Sequence, residues 1–194
     1  MADQVRDIAA FTAFAEKNPQ DAFRFFKSDE FLNIIPAEDH RSRALWRGLM
    51  HAPLTRASME EFLAGTGRKD PVTVTADVTE ASFYQVKDSI QEMIRLRRSG
   101  WGSFVMNVCT DADFIELPRV RITEEAFVGS SFDLPYRILI GKLGAGVRTG
   151  TIWIEGPCCR IAFTVTASAE AEDYTGQRAE IDRNTLRLRK RRLD

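Results

Sequence analysis

The residues best placed to do chemistry in this chain are cations. Arg187, Arg189, Lys190, Arg191 and Arg192 crowd into six consecutive positions, and a cluster of that density creates a potential that phosphates relieve by releasing counterions. It predicts an arm for RNA, DNA or an acidic protein surface. The competing readings are a solubilising tail, a localisation signal, or a strap that pairs with the acidic stretch Glu170 to Asp182 on its own or a neighbouring subunit. The whole chain carries 27 Lys plus Arg against 28 Asp plus Glu, a formal charge of −1. Taking the five clustered cations away leaves 22 against 28, so an acidic body ends in a basic tail.

A second cationic group is His40, Arg43, Arg47 and His51, whose spacing puts them on one stripe of a helix expected over Ala37 to Met50. Both histidines of the chain lie there, so protonation below about pH 6.5 would strengthen anion binding on that face. At 1.5 Å per residue the two histidines are roughly 16 Å apart, too far to share a metal. The bland reading is the solvated side of an amphipathic helix. A third group, Lys142 and Arg148, brackets the glycine-rich run Gly141 to Gly150. That run lacks the GxxxxGK[ST] order of a phosphate cradle and leads into a strand rather than a helix, so it reads as a long hairpin loop whose two cations remain secondary anion candidates.

No catalytic constellation survives. Cys158 and Cys159 lack a base to form a thiolate, and three cysteines with two distant histidines fall short of a zinc set; Cys109 completes an odd, reduced count. Paired carboxylates occur at Glu60–Glu61, Glu124–Glu125 and Asp111/Asp113; the Asp111/Asp113 pair could hold a hydrated divalent cation, but no third acid follows by spacing and a turn is the plain reading. Trp101, Phe104, Trp153 and Phe163 would suit a base-stacking platform but equally an ordinary sheet core. The sequence therefore predicts no catalytic residue, no metal and no cofactor, and points away from an enzyme.

The elements that must hold these groups read in three parts. Residues 1–65 pattern as short helices, with Asn18 capping and Pro19 in the first helical position. Seven of the thirteen phenylalanines fall in this part, which either forms its own core or covers a sheet. Residues 71–166 switch to period two, with Val72, Val74, Ala76 and Val78 alternating against polar positions. Within them Thr79 caps what looks like the best helix of the chain, carrying Phe83, Val86, Ile90, Met93 and Ile94. Residues 167–194 form a charged tail. The expected architecture is α+β: a helical N-terminal region on a mostly antiparallel sheet that carries one long amphipathic helix.

From these features we expect a self-associating structural or assembly protein, coat-like or particle-forming, whose basic tail engages nucleic acid or another polyanion. The alternatives are an enzyme or small-ligand binder with an anion site between helices and sheet, and a protein–protein adaptor. A homo-oligomer is expected. The acidic N-terminus and the lack of any apolar run near eighteen residues predict a cytoplasmic protein with no membrane span.

Overall fold

In a computed structural model the described residues are 5–170. The expected architecture does not hold: the residues after 71 make two β-sheets face to face, and the long helix does not exist. In its place β2 (Glu80–Val86) and β3 (Ile90–Ser99) run through the same sequence, in different sheets. The reason lies in phase. In β3 the buried positions are Ile94 and Leu96 while Gln91, Met93, Arg95 and Arg97 face out, a period of two. In β2 the alternation slips at a bulge where Gln85 takes φ 56°. That slip, together with the connector 87–89, offsets one strand against the next, so apolar residues from two strands line up at helical spacing. The β-branched and aromatic content of the segment, Phe83, Tyr84, Val86, Ile90 and Ile94, is what favours strands.

The four-stranded sheet has the order β1-β3-β7-β5, with β1 at Thr73–Ala76, β5 at Ile115–Glu116 and β7 at Ser131–Ile138, all antiparallel. The five-stranded sheet runs β2-β9-β8-β4-β6, with β4 at Val105–Thr110, β6 at Arg121–Thr123, β8 at Val147–Gly156 and β9 at Cys159–Ala169. Here β2 lies parallel to β9 and the rest are antiparallel. Between the sheets Ile94, Leu96, Leu134, Tyr136 and Ile138 meet Met106, Ile152, Ile154, Phe163 and Val165. The Tyr136 and Phe163 rings cross edge to face at 5.8 Å. β8 starts at Val147, inside the run expected to be a long loop, because α5 (Ile140–Leu143) turns the chain and buries Leu143. Gly150 is then the strand residue that passes Ala112: a Cβ there would lie 2.3 Å from that of Ala112.

The N-terminal helices make a core of their own. Asp7 caps α1 (Ile8–Lys17) by accepting from the Ala10 N–H at 2.7 Å, and Pro19 opens α2 (Pro19–Phe26). A 3-10 turn, Asp29–Ile34, follows. Asp39 caps α3 (His40–Met50), and a Thr55/Ser58 capping box starts α4 (Arg56–Gly65) three residues before the box at Ser58 that the sequence suggests. Phe31 sits at the centre, its ring 4.8 Å from Phe11, 5.0 Å from Phe26 and 5.3 Å from Phe62. The Trp46 indole N–H donates to the Phe26 carbonyl at 3.0 Å, so the largest side chain of this core leaves no polar atom stranded.

Burial, helped by the nearby Glu92 carboxylate, pushes the Tyr136 phenol up to about 12. A raised value means the folded state holds the proton more tightly than the unfolded chain, whose tyrosines ionise near 10. Stability is therefore expected to be full below about pH 10 and to fall as pH rises toward about 12. Denaturant titrations across that window should show the loss, and Tyr136→Phe should flatten it.

Candidate functional site

Three regions of the described residues could carry function: the charged joint between the two cores, the cationic groups read from sequence, and the outer faces of the two sheets.

The joint is built around Lys69, in the connector between α4 and β1. Its ammonium pairs with Glu60 of α4, donates to the Trp101 carbonyl, and lies 4.0 Å from the centroid of the Trp101 ring. The Lys69 and Glu60 side chains are only 7% and 14% exposed, so this is a buried ion pair rather than a surface one. Glu60 also accepts from the Ser103 N–H at 3.2 Å. Ser103 Oγ donates to Glu124 at 2.9 Å, the Phe104 N–H donates to the same carboxylate, and Arg56 closes the circuit on Glu124 at 3.0 Å. Every charge in the circuit meets an opposite charge or a hydrogen-bond donor, which is what a structural joint requires. Two clefts flank it, one of about 300 Å³ that reaches Pro157 and Cys158, the other of about 360 Å³ between α1, α4 and Trp101. Nothing in the sequence marks Lys69 as different from its neighbours in a polar connector; only the fold reveals its partners.

Of the cations read from sequence, Arg187, Arg189, Lys190, Arg191 and Arg192 lie outside the described residues. His40, Arg47 and His51 are exposed on or just after α3. Arg43 turns inward instead and donates to the carbonyls of Leu32 and Ile35 at 3.2 and 2.7 Å, ending the preceding 3-10 turn. The stripe is thereby interrupted at its centre. Arg148 and Lys142 are brought together, but through structure: Arg148 donates to the Lys142 carbonyl at 2.6 Å, pairs with Asp113 at 2.9 Å, and lies over the Phe114 ring. Among the described residues no three His, Cys, Asp or Glu side chains converge as a metal site, and no helix is long and apolar enough to cross a membrane.

The outer faces of the two sheets differ sharply. On the four-stranded sheet Arg95 grips Asp133 through two bonds of 2.8 Å, Arg97 grips Asp77 at 2.6 and 2.9 Å, and Arg137 reaches Glu116 at 3.4 Å. The hydrogen bonds from these arginines hold the Asp77 and Asp133 carboxyls below the ordinary range. The five-stranded sheet carries its outward charges toward its margins: Glu80 on β2 beside Thr164, and Arg121 on β6 in one row with Asn107, Glu155 and Arg160. Across its middle, Cys109, Trp153 and Ala162 stand in register, flanked on one side by the row of Thr151 and Thr164, with Thr149 and Thr166 beyond it, and on the other by the row of Asn107, Glu155 and Arg160. Tyr84 on β2, 62% exposed, Val147 on β8, 64% exposed, and Val105 on β4, 37% exposed, also lie on this surface. Glu155 pairs with Arg160 at 2.9 Å in the row between Trp153 and the β8–β9 turn. Trp153 is thus on the outside of the sheet, whereas Phe104 and Phe163 are core and Trp101 belongs to the joint.

Comparison with known proteins gives a family and a set of distant shapes. A family of unknown function, DUF5717, described by its N-terminal part, matches residues 1–194. The chain belongs to this family. No curated protein matches it. Among solved structures it is similar to the ASH/PapD-like domain 7 of human CEP192, at 12% identity and a TM-score of 0.45, over 62% of this chain and 94% of that one. A FixG-related protein from Vibrio parahaemolyticus (11% identity, TM-score 0.36, 52% of this chain and 95% of that) and WR4, an MSP family member of C. elegans (7%, 0.35, 50% and 97%), are similar at longer range.

The joint yields a direct expectation. Lys69→Met leaves the Glu60 carboxylate buried without its counter-charge and should cost about 3–5 kcal/mol in denaturant unfolding. An effect below about 1 kcal/mol, the scale of a surface pair, would contradict the burial described.

Proposed function

We propose that this chain works by binding rather than by catalysis, as a self-associating assembly module whose protein contacts are made by the outer face of the five-stranded sheet. The observation that carries this is the contrast between the two outer faces. Strand residues that point away from a sandwich core are free to be charged, and charge there keeps a sheet soluble and discourages sheet-to-sheet association. The four-stranded sheet uses that freedom for three arginine–carboxylate pairs around Met93. The five-stranded sheet keeps its charges, Glu80, Arg121, Glu155 and Arg160, around a middle of threonines, an alanine, a cysteine and a tryptophan, which matches the charge-poor, aromatic centre and polar rim of an interface.

The test is the mass of the full chain in solution. Thr151→Glu with Thr164→Glu places two like charges side by side in the middle of the face, at exposed or half-exposed positions that the core does not need. The variant should sediment as a monomer with a melting temperature close to that of the parent, while the parent sediments as an oligomer. Unchanged mass in both proteins would remove self-association, and a monomeric parent that gains mass only with another protein would favour the adaptor reading.

A second reading rests on its own observation, the density of charge at Arg187 to Arg192: that the basic segment engages nucleic acid or another polyanion. Deleting residues 187–194 should abolish salt-sensitive polynucleotide binding and leave thermal unfolding almost unchanged. Five phosphate contacts would give log K a slope near −4 to −5 against log salt on duplex DNA. Binding that persists undiminished after the deletion would contradict it.

A further inference from the structure

An edge strand leaves half of its backbone donors and acceptors without a neighbour, and native sheets keep unpaired edges short, charged, bulged or covered. Among the described residues the edges are β1 and β5 in one sheet, β2 and β6 in the other. β5 has two residues and β6 has three. β1 gives its outward Val74 N–H to the Cys158 carbonyl at 3.1 Å, so the β8–β9 turn meets that edge. β2 is different. It has seven residues, and β9 pairs with it on one side only. The Thr79 carbonyl accepts the Thr164 N–H at 2.8 Å, which fixes the phase of the ladder. Backbone groups of Thr79, Ala81 and Phe83 turn to β9, and those of Glu80, Ser82 and Tyr84 turn to the open side. The side chains of these last three are exposed. Glu80 is their only charge, no Lys or Pro interrupts them, and the bulge at Gln85 comes after them.

From this geometry we propose that β2 pairs with β2 of a second copy of the chain, antiparallel about a twofold axis at Ser82, so that the two five-stranded sheets continue as one. The strand is self-complementary in this register. Ser82 faces Ser82 and each Glu80 faces the partner's Tyr84, so every outward N–H and C=O of both strands finds a mate. A shift by two residues leaves Glu80 or Tyr84 without one, or sets like charges directly opposite. The two Glu80 carboxylates instead stand roughly 14 Å apart along the strands, four residues at about 3.4 Å each. Each meets a phenol hydroxyl able to donate to it. On the core side half-buried Ala81 and Phe83 face the partner's Phe83 and Ala81, small against large. The outer face also continues. Ser82 stands in register with Thr166 and Thr149, so across the axis their hydroxyls form one unbroken row with those of the partner. The proposal shares with the outer-face reading only the self-association of the chain, and adds a separate contact. Two isologous contacts on one chain extend an assembly beyond a pair.

The experiment uses the full chain carrying Cys109→Ser, which removes the exposed native thiol. Directly opposed residues of such a pair lie about 5.5 Å apart at Cα, inside the disulfide range. In a glutathione redox buffer Ser82→Cys should therefore give a covalent dimer. Glu80→Cys alone should not, whereas Glu80→Cys combined with Tyr84→Cys should. Ser82→Pro removes the outward N–H and spares the ladder to β9, a place where an edge strand accepts proline. It should weaken association at least about tenfold in sedimentation, the scale of losing the central hydrogen bonds, and melt close to the parent. The Thr151→Glu/Thr164→Glu variant acts on the outer face and, because Thr164 is the register partner of Glu80, on the edge as well; Ser82→Pro acts on the edge alone. Absence of the Ser82→Cys disulfide, association unchanged by Ser82→Pro, or a dimer from Glu80→Cys alone would each overturn the edge pairing. If the threonine variant still falls apart in that case, the outer-face reading stands. If the Ser82→Cys disulfide forms and Ser82→Pro weakens association while the threonine variant keeps the parent's mass, the edge pairing stands and the outer-face reading fails.

Discussion

A strand between two layers has no choice about half of its side chains. They fill the space between the sheets, and in this chain Ile94, Leu96, Leu134, Ile152, Ile154 and Val165 do so with almost no exposure. The other half are released from that constraint, so their identity reports on what lies outside. Everything we infer about function depends on this division. On one face the released positions became interlocked arginines and aspartates across its middle; on the other the middle became hydroxyls and an aromatic ring, with Glu80, Arg121, Glu155 and Arg160 around it. Core packing is satisfied equally in both, and solubility favours the first. What remains to explain the second is a surface that has to lose its water.

The same logic explains why the helical part does not take up that role. Its phenylalanines close on one another around Phe31 and form a separate core, and its connection to the sandwich is polar, through Lys69, Glu60, Ser103 and Glu124. A joint made of charges in partial burial is directional: it fixes one relative placement, where an apolar contact would tolerate several. The helices are thereby tied to the sandwich beside the Trp101–Phe104 segment, while Thr151, Trp153 and Thr164 keep their outward exposure.

The sequence disclosed the local features and concealed the long-range ones. Pro19 at the first position of α2, the helical spacing around Phe23 and Phe26, and the alternation of Ile161, Phe163 and Val165 depend on neighbours within a few residues, and each is legible, although the Asn18 side chain makes no capping bond. The stretch from Thr79 to Ser99 is not, because a bulge at Gln85 and a change of sheet after Val86 bring two strands into apparent helical phase. The glycine run patterns as loop although Gly150 is a strand residue that passes against Ala112. Arg43 has the spacing of an anion contact; the carbonyls it satisfies belong to a turn eight and eleven residues away. Lys69 and the Met106–Cys159 contact involve partners 32 and 53 residues distant, which no spacing rule reaches.

The central claim is that the threonine- and tryptophan-bearing outer face of the five-stranded sheet is covered in the working protein and the outer face of the four-stranded sheet is not. Hydroxyl-radical labelling of the full chain, dilute and concentrated, reads both faces at once, through Tyr84 and Trp153 on one and Met93 on the other. The account predicts that labelling of Tyr84 and Trp153 falls on concentration while Met93 is unchanged. Protection of Met93, or equal labelling of all three at every concentration, would contradict it.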